Sequence, residues 1–395
     1  MSSKPEPPSK DHLGFLDGIR GIAALWVVIG HCMIWGGSFW HRFPPPIIAV
    51  DVFMFVSGYL MVHQWTRRVG DEVVLTRAVV GEFWLRRIFR IVPVFWVALA
   101  ATVLFHGPLS AGMDVLRAAK HDLGVVYDPA LFPMDPVSLF LRATFLFGFV
   151  PDLAASPFMG DWSLALEMQF YAAFPFVLVG LRRLGAARLF FAAAIMAFAT
   201  GEVLMRMPEF RAGAGTALPL PILLPMKLTV FLIGMVVAEA NRRFSARPAE
   251  ASLLVVLSLM FAAMQAWQVA AVAALAFYLV AGRDLAGDFA GRKGSAWLGW
   301  IFGNRLMAWL ADCSYAVYLL HSMAISLWGG WLWQQDRFLA LRNPVRMVLL
   351  LVLVAATVYP LAWIIHQVVE KPGIGIGRRL AERWFPRPKR PDTAG

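Results

Sequence analysis

The sequence predicts an all-α fold: a polytopic integral membrane protein, built as a helical bundle of about ten transmembrane helices with both termini in the cytoplasm. Of its 395 residues, 59% are hydrophobic and only 15% are charged, whereas soluble domains are about one quarter charged. The apolar residues are gathered into stretches of bilayer-spanning length, and the basic residues cluster at one end of these stretches. Water could not solvate such a chain, so we predict that it folds within a membrane.

Ten apolar stretches define the predicted helices. The seventh and eighth are short and separated only by Gln268, so we expect a tight helical hairpin there. The predicted spans are 13–35, 46–66, 86–106, 162–181, 187–206, 218–240, 251–267, 269–282, 306–328 and 345–367.

The distribution of positive charge predicts the orientation. With the N-terminus inside, 25 of the 36 lysines and arginines fall on the inner side and nine on the outer side, as the positive-inside rule requires. The formal charge of +11 does not indicate a nucleic-acid partner, because the basic residues flank apolar spans and form no continuous stripe. We therefore expect both termini in the cytoplasm and membrane lipids around the spans.

The same pattern divides the chain into three parts. We predict a cytoplasmic N-terminal tail at 1–12, a transmembrane domain at 13–372 and a basic cytoplasmic tail at 373–395. In the longest outer segment, 107–161, the stretch Val137–Phe149 is apolar but too short to span, which predicts a re-entrant or interfacial helix. The polar N-terminal residues lead into a span that itself carries ionisable groups, so we expect no cleavable signal peptide.

The cysteine content argues against a metal or disulfide framework. The chain has two cysteines, Cys32 and Cys313, and both lie inside apolar spans. We therefore expect no metal site and no cofactor that is bound permanently.

The first span carries ionisable groups that membrane helices rarely tolerate without a role. Arg20 and His31 are eleven residues apart, so on a helix they share one face and lie about 16 Å apart along it; Asp17 lies on that face too. This pattern favours a ligand lying along the helix with its reactive end at His31. The alternative is a histidine bonded to a neighbouring helix, with an arginine that reaches to the interface.

Other ionisable groups fall at the depth of His31. Asp51 in the second span, Glu167 in the fourth and His321 in the ninth all lie in the outer half of their spans. Ionisable groups at such depth normally face the bundle interior or a cavity. Two histidines and two carboxylates are therefore expected to share one level of the membrane and to face the bundle interior or a cavity.

A basic cluster lies at the inner end of the third span. Arg87 and Arg90 are three residues apart, share a helix face and could grip one phosphate group, with Arg86 beside them. The alternative is that these arginines only anchor the span at the cytoplasmic surface.

Six sequence blocks follow one another along the chain: Leu16–Gly21 followed by His31, Asp51–Tyr59, Arg86–Pro93, Trp162–Tyr171, Ser314–His321 and Glu370–Pro372. In this order they resemble the acyltransferase-3 family of integral membrane acyltransferases. Met168 stands where the family often has a second acidic residue, which leaves Glu167 as the carboxylate of the Trp162–Tyr171 block.

The resemblance implies an enzyme that transfers an acyl group, commonly acetyl from cytoplasmic acetyl-CoA, to a hydroxyl of an extracytoplasmic glycan or a lipid-linked saccharide. By position, the family's essential arginine and histidine are Arg20 and His31, and its cytoplasmic Arg-x-x-Arg pair is Arg87 and Arg90. It also implies a bacterial cytoplasmic (inner) membrane location. Because the chain ends soon after the tenth span, we expect the membrane domain alone to deliver the acyl group.

For the donor, we expect Arg86, Arg87 and Arg90 to hold the CoA phosphates, with Arg20 further along the arm. His31 would then act as general base on the incoming hydroxyl, or as a nucleophile that forms an acyl-histidine.

For the rest of the site, Asp51 or Glu167 would orient the imidazole of His31 and stabilise its charged form. The sequence leaves open which carboxylate does so. The candidates for binding the acceptor are Tyr315, Tyr318, His321 and Trp162.

Two other functions stay open at this point. One is an acyltransferase that acts on a membrane lipid or a small secondary metabolite, which no motif excludes. The other is a transporter whose intramembrane charges bind substrate or protons. A transporter would need a proton relay or inverted repeats, and it would not need arginines at the inner end of the third span.

Overall fold

The regular elements of a computed structural model of the chain are helices throughout the residues that the structure describes: 14–37, 43–70, 75–121, 132–150, 153, 156–204, 206, 223–281 and 294–386. A short 3₁₀ helix covers Leu146–Phe149, and a π-helical turn covers His366–Glu370. The α-helices are α1 (Gly14–Trp35), α2 (Pro46–Val69), α3 (Arg77–Leu104), α4 (His106–His121), α5 (Pro136–Ala143), α6 (Trp162–Leu184), α7 (Ala186–Leu204), α8 (Leu224–Arg243), α9 (Pro248–Gln265), α10 (Trp267–Ala281), α11 (Gly294–Phe302), α12 (Arg305–Leu332), α13 (Asp336–Leu339), α14 (Asn343–Ile365) and α15 (Lys371–Trp384).

The predicted polytopic membrane fold is confirmed. In the described part of the chain, eight helical segments are long and apolar enough to cross a membrane: α1, α2, α3, α6, α7, α8, α12 and the continuous segment Asn343–Trp384. The predicted hairpin corresponds to the shorter apolar helices α9 and α10. Their boundary lies at Ala266, whose backbone is extended, whereas Gln268 is helical.

Two regions differ in detail from the sequence reading. Helix α3 begins at Arg77, well before the predicted limit, because Thr76 caps it by accepting a hydrogen bond from the Val79 amide at 3.3 Å. The stretch Val137–Phe149 forms most of α5 and the 3₁₀ helix. The two helices are separated at Phe145, whose left-handed φ of 62° interrupts the helical backbone. The predicted tail 1–12 and residues 387–395 lie outside the described residues.

The chain divides into two compact units. The first comprises Met1–Val27, Pro45–Leu60 and Val230–Tyr315, and the second comprises Val28–Pro44, Met61–Thr229 and Ala316–Gly395. In the first unit, α1 packs so closely on the end of α11 that a Cβ at Gly18 would lie 1.9 Å from the Phe302 carbonyl oxygen. The glycine of the Leu16–Gly21 block therefore has a packing role.

In the second unit, α15 runs antiparallel to the first half of α3. Gly81 of α3 lies against the ring of Phe385, and Gly373 at the other end of α15 lies against Phe89 and Pro93. The two helices thus form a paired wall at the end of α3 that the charge distribution predicts to be cytoplasmic.

Candidate active site

The second unit brings two predicted histidines together. His31 lies on the last third of α1 and His321 lies in the middle of α12. Their ring centroids are 5.0 Å apart and their planes are tilted by 45°. His321 is 1% exposed, whereas His31 is only partly buried. His31 is therefore the imidazole of the pair that a substrate can reach more easily.

Hydrogen bonds fix the tautomer of His321. Its Nδ1 lies 2.7 Å from the carbonyl oxygen of Tyr318, and because a carbonyl oxygen can only accept, Nδ1 must donate. In the neutral ring Nε2 is then an acceptor, and the hydroxyl of Ser322 lies 3.2 Å from it. The orientation of the ring beside His31 is held by α12 itself.

Tyr318 joins the histidine pair to α6. Its ring centroid is 5.9 Å from that of His321, and its hydroxyl lies 2.8 Å from the hydroxyl of Ser163. A Cβ at Gly160 would lie 2.8 Å from the Tyr318 ring, so a glycine is needed just before α6. Trp162, also predicted to bind the acceptor, is partly buried at the first position of α6.

A polar face of α6 leads away from this cluster. Ser163, Glu167 and Tyr171 follow one another at intervals of four residues, which places them along one face over about 12 Å. The hydroxyl of Tyr171 donates to the carboxylate of Glu167. The guanidinium of Arg87 lies 5.4 Å from the centroid of the Tyr171 ring, so the polar face extends from Tyr318 at one end to Arg87 at the other.

Arg87 in turn lines a basic cavity of about 420 Å³, a size typical of small-molecule sites. Its walls are the end of α2, the first half of α3 and the start of α15. The three arginines that the sequence assigns to the CoA phosphates, Arg86, Arg87 and Arg90, all line it, and Arg20 does not. The lining residues are Gln64, Trp65, Arg68, Val69, Glu82, Phe83, Arg86, Arg87, Arg90, Lys371, Ile374, Gly375 and Arg378.

The predicted donor-binding arginines differ in their partners. Arg86 is held by two carboxylates, Glu82 at 3.0 Å and Glu382 at 3.3 Å. Arg87 is buried and donates to the neutral side-chain amide of Gln64. The charge of Arg87 is therefore less compensated than that of Arg86, which makes Arg87 the better ligand for an anion.

Three predicted site residues belong to the first unit. Arg20 lies 3.7 Å from the carboxylate of Asp17, one turn earlier on α1. Asp51 is buried in the first turns of α2, and Tyr315 is partly buried on α12. Their roles stay predictions, as does the proposed pairing of Asp51 or Glu167 with His31.

A buried ion pair near the start of α6 was missed by the sequence reasoning. Arg142, which the sequence places among the outer cations, lies 2.6 Å from Asp161, and both side chains are completely buried. The guanidinium also lies 4.5 Å from the centroid of the Phe132 ring. Burial raises the pKa of Asp161 to about 6, although Arg142 opposes that rise. The only signal in the sequence is an acidic residue at the N-cap of the Trp162–Tyr171 block.

No candidate metal site is present among the described residues. They contain no group of three His, Cys, Asp or Glu side chains placed to hold a metal ion. Cys32 and Cys313 are both buried free thiols.

Comparison with known proteins identifies similar chains. A family model described as an acyltransferase domain matches residues 13–366. The chain is 28% identical over 415 residues to the acyltransferase MdmB of Streptomyces mycarofaciens, covering 97% of each protein. No solved structure matches the chain.

Two further relatives match over a smaller region. A Staphylococcus aureus (strain COL) protein provisionally named as an O-acetyltransferase is 30% identical over 172 residues, which is 42% of this chain and 24% of the relative. A Bacillus subtilis (strain 168) protein provisionally named as a peptidoglycan O-acetyltransferase is 28% identical over 166 residues, 42% of this chain and 23% of the relative. The match thus spans about a quarter of the length of these two relatives.

Proposed function

Since the chain belongs to the acyltransferase-3 family of integral membrane acyltransferases, we propose that it moves an acyl group, acetyl in the simplest case, from cytoplasmic acyl-CoA to a hydroxyl of an extracytoplasmic glycan or lipid-linked saccharide. The enzyme is a membrane O-acyltransferase. The observation that carries the proposal is the polar face of α6, which connects a basic cavity at Arg87 with the hydroxyl and imidazole groups at Tyr318 and His31.

The basic cavity supports an anionic donor. Six cationic side chains and one carboxylate line it, and arginine is well suited to phosphate recognition because its planar fork donates two parallel hydrogen bonds. In this proposal the diphosphate of CoA lies against Arg87 and Arg90. The thin, uncharged pantetheine arm then follows the bundle towards His31.

The histidine pair supports the chemistry of transfer. His31 takes the proton of the acceptor hydroxyl as the oxygen attacks the thioester carbonyl carbon. The carbon–sulfur bond then breaks, and the CoA thiolate receives a proton from the imidazolium of His31. The products are the acyl ester and free CoA. His321, held by Tyr318 and Ser322, positions His31 in this proposal.

Hydroxyl groups beside the histidine pair support a polyhydroxylated acceptor. Ser163 and Tyr318 offer two hydroxyl groups within 2.8 Å of each other, which suits recognition of a polyhydroxylated ligand. The name of the Bacillus relative also points to a glycan. A membrane lipid or a small metabolite stays the alternative acceptor, and family membership favours an enzyme over a transporter.

The experiment that tests the function uses purified protein in lipid nanodiscs with acetyl-CoA labelled in the acetyl group. Label should appear in an ester of a lipid-linked saccharide and not in phospholipid, and free thiol should be released in equal amount. Label found only in phospholipid or in a small metabolite would support the alternative acceptor. Hydrolysis without transfer to any hydroxyl acceptor would contradict the proposal.

A further inference from the structure

One face of α15 forms a wall of the basic cavity. Lys371, Ile374, Gly375 and Arg378 all line it, and their spacing of three, four and seven residues is that of one helix face. The first half of α3 forms the wall beside it, and the end of α2 forms the third wall. All three walls carry cations: Arg68 on α2, Arg86, Arg87 and Arg90 on α3, and Lys371 and Arg378 on α15. The sequence analysis identified only the cations of α3 as candidate ligands.

Local sequence explains why α15 lies there. A Cβ at Gly377 would lie 2.4 Å from the Cβ of Phe89, and a Cβ at Gly373 would lie 2.9 Å from the Phe89 carbonyl oxygen. These two glycines face α3, so the helices approach closely there. The π-helical turn before α15 contains a buried side-chain hydrogen bond: the Nδ1 of His366 lies 2.8 Å from the Oε2 of Glu370.

The two cations of α15 that line the cavity are well separated and lack carboxylate partners among the described residues. Lys371 and Arg378 are seven residues apart, or about 10 Å along the helix. The ammonium of Lys371 donates to the neutral amide oxygen of Gln367 at 3.0 Å. Arg378 makes no ion pair within the part of the chain that the structure describes. Each is therefore available to bind an anionic group.

Their levels along α3 also differ. Because α15 is antiparallel to α3, Lys371 lies beyond the contact of Gly373 with Pro93, whereas Arg378 lies next to the contact of Gly377 with Phe89, nearer the ion pair of Arg86 with Glu382. The cavity thus offers positive charge at two depths. A diphosphate alone would use one of them.

We propose that Arg378 forms a second phosphate subsite, which binds the 3′-phosphate of the CoA adenosine, while Lys371 joins Arg87 and Arg90 around the diphosphate. CoA carries these two anionic groups on opposite sides of one ribose, so it matches positive charge at two depths. Arg378 thereby selects CoA over donors that lack the 3′-phosphate. This inference rests on the proposed CoA donor and specifies which residue recognises which phosphate.

The test measures affinity for CoA and for 3′-dephospho-CoA with the purified full-length protein. Wild type should bind CoA about tenfold to a hundredfold more tightly, the range for one charge-assisted contact. Arg378→Ala should reduce CoA affinity to that for dephospho-CoA and leave the latter unchanged. Lys371→Ala should weaken both equally. Arg379→Ala, which removes the neighbouring exposed arginine that does not line the cavity, should retain the wild-type ratio.

The outcomes separate the two levels of the proposal. Wild type that binds CoA but does not discriminate, or Arg378→Ala protein that still discriminates, overturns the subsite while leaving the donor intact. Wild type that binds neither nucleotide contradicts the CoA donor itself and the subsite with it. Thermal melting of each variant checks that it is folded.

Discussion

The imidazole rings of His31 and His321 lie 5.0 Å apart at an angle of 45°, although 290 residues separate them in the sequence. His321 is the buried member, and its Nδ1–H is committed to the Tyr318 carbonyl. His31 is partly exposed and lies on a different helix. Two chemically identical side chains thus have different surroundings: His321 is fixed by its hydrogen bonds, and His31 is the more exposed imidazole, to which the proposed mechanism assigns proton exchange with the substrate.

His31→Ala should abolish acyl transfer. A positioned general base contributes about 10²–10⁴-fold to a rate, and the buried His321 cannot replace it. The measurement is the rate of ester formation with acetyl-CoA, together with CoA affinity, which should stay within about twofold of wild type. Cys32→Ala changes the adjacent position and should keep wild-type turnover. Wild-type turnover in purified His31→Ala protein would contradict the mechanism.

Tyr318→Phe should raise the KM for the acceptor and leave the affinity for acyl-CoA unchanged. The substitution removes the hydroxyl that lies 2.8 Å from Ser163, and a neutral hydrogen bond contributes about 0.5–1.5 kcal/mol, or about twofold to tenfold. Steady-state kinetics with each substrate varied in turn check this. A change in donor KM with an unchanged acceptor KM would place Tyr318 on the donor path instead.

Arg87→Ala should weaken acyl-CoA binding more than Arg86→Ala does. We expect a loss of about 1.5–3 kcal/mol at Arg87, the range for a hydrogen bond between charged groups. Arg86 is already held by Glu82 and Glu382, so its removal should chiefly lower stability, because it breaks an ion pair with the buried carboxylate of Glu82. Calorimetry with CoA measures the first effect and thermal melting measures the second.

The matched control for this pair is Arg67→Ala. Arg67 is exposed at the end of α2 and does not line the cavity, so CoA affinity should stay at the wild-type value. Equal losses of CoA affinity in all three variants would indicate a diffuse electrostatic effect. Unchanged CoA affinity in Arg87→Ala would indicate that the arginine cluster serves only as a membrane anchor.

Arg142→Ala should be strongly destabilising. It leaves the completely buried carboxylate of Asp161 unpaired, and breaking such a pair costs about 3–5 kcal/mol. Arg117→Ala is the control, because its ion pair with the exposed Asp114 is expected to contribute about 0–1 kcal/mol. The free energy of unfolding of both variants, measured in detergent, tests this difference. Similar losses of unfolding free energy in the two variants would show that burial does not distinguish the two ion pairs.

The pKa of Asp161 predicts a pH dependence of stability. Burial raises it to about 6, from an ordinary value of about 3.9. The folded state therefore holds this proton more tightly than the unfolded state, so the stabilisation present at low pH is lost as pH rises through about 6. The melting temperature should fall between about pH 4 and pH 6, the interval between the two pKa values, and Asp161→Asn should remove that fall. An equal slope in the variant would assign the effect to another group.

The sequence predicted the helices, and the membrane depth of their polar residues, better than it predicted which side chains contact one another. The shared depth of His31 and His321 was readable because a helix advances regularly with residue number. The hydrogen bond that the Tyr171 hydroxyl donates to Glu167 was not readable, because helical spacing identifies a face and not the neighbour that a side chain contacts. The Arg142–Asp161 pair depends on the path of an irregular connection, which periodicity does not describe.

The wall that α15 contributes to the cavity illustrates the same limit. Gly373 and Gly377 lower the intrinsic helix propensity of α15, and the segment was expected only as a basic tail. Their close contact with Phe89 shows that tertiary packing decides the structure there. Lys371 and Arg378 therefore became candidate ligands only when the helix was seen beside α3.

The last prediction is that donor and acceptor enter from opposite sides of the membrane. Arg87 and Arg90 lie on the part of α3 that the charge distribution predicts to be cytoplasmic, whereas His31 lies near the other end of its span. On α6 the distance from Tyr171 to Ser163 is about 12 Å, less than half of a hydrocarbon core of about 30 Å, so an extended pantetheine arm can bridge the two levels.

In sealed proteoliposomes of one orientation, acetyl-CoA supplied on the side of the basic cavity should acylate an acceptor confined to the other compartment. His31→Ala vesicles control for leakage, and detergent should abolish the requirement for sidedness. Transfer that occurs only when both substrates share the cavity side would contradict the through-membrane path and require His31 to open towards the cytoplasm.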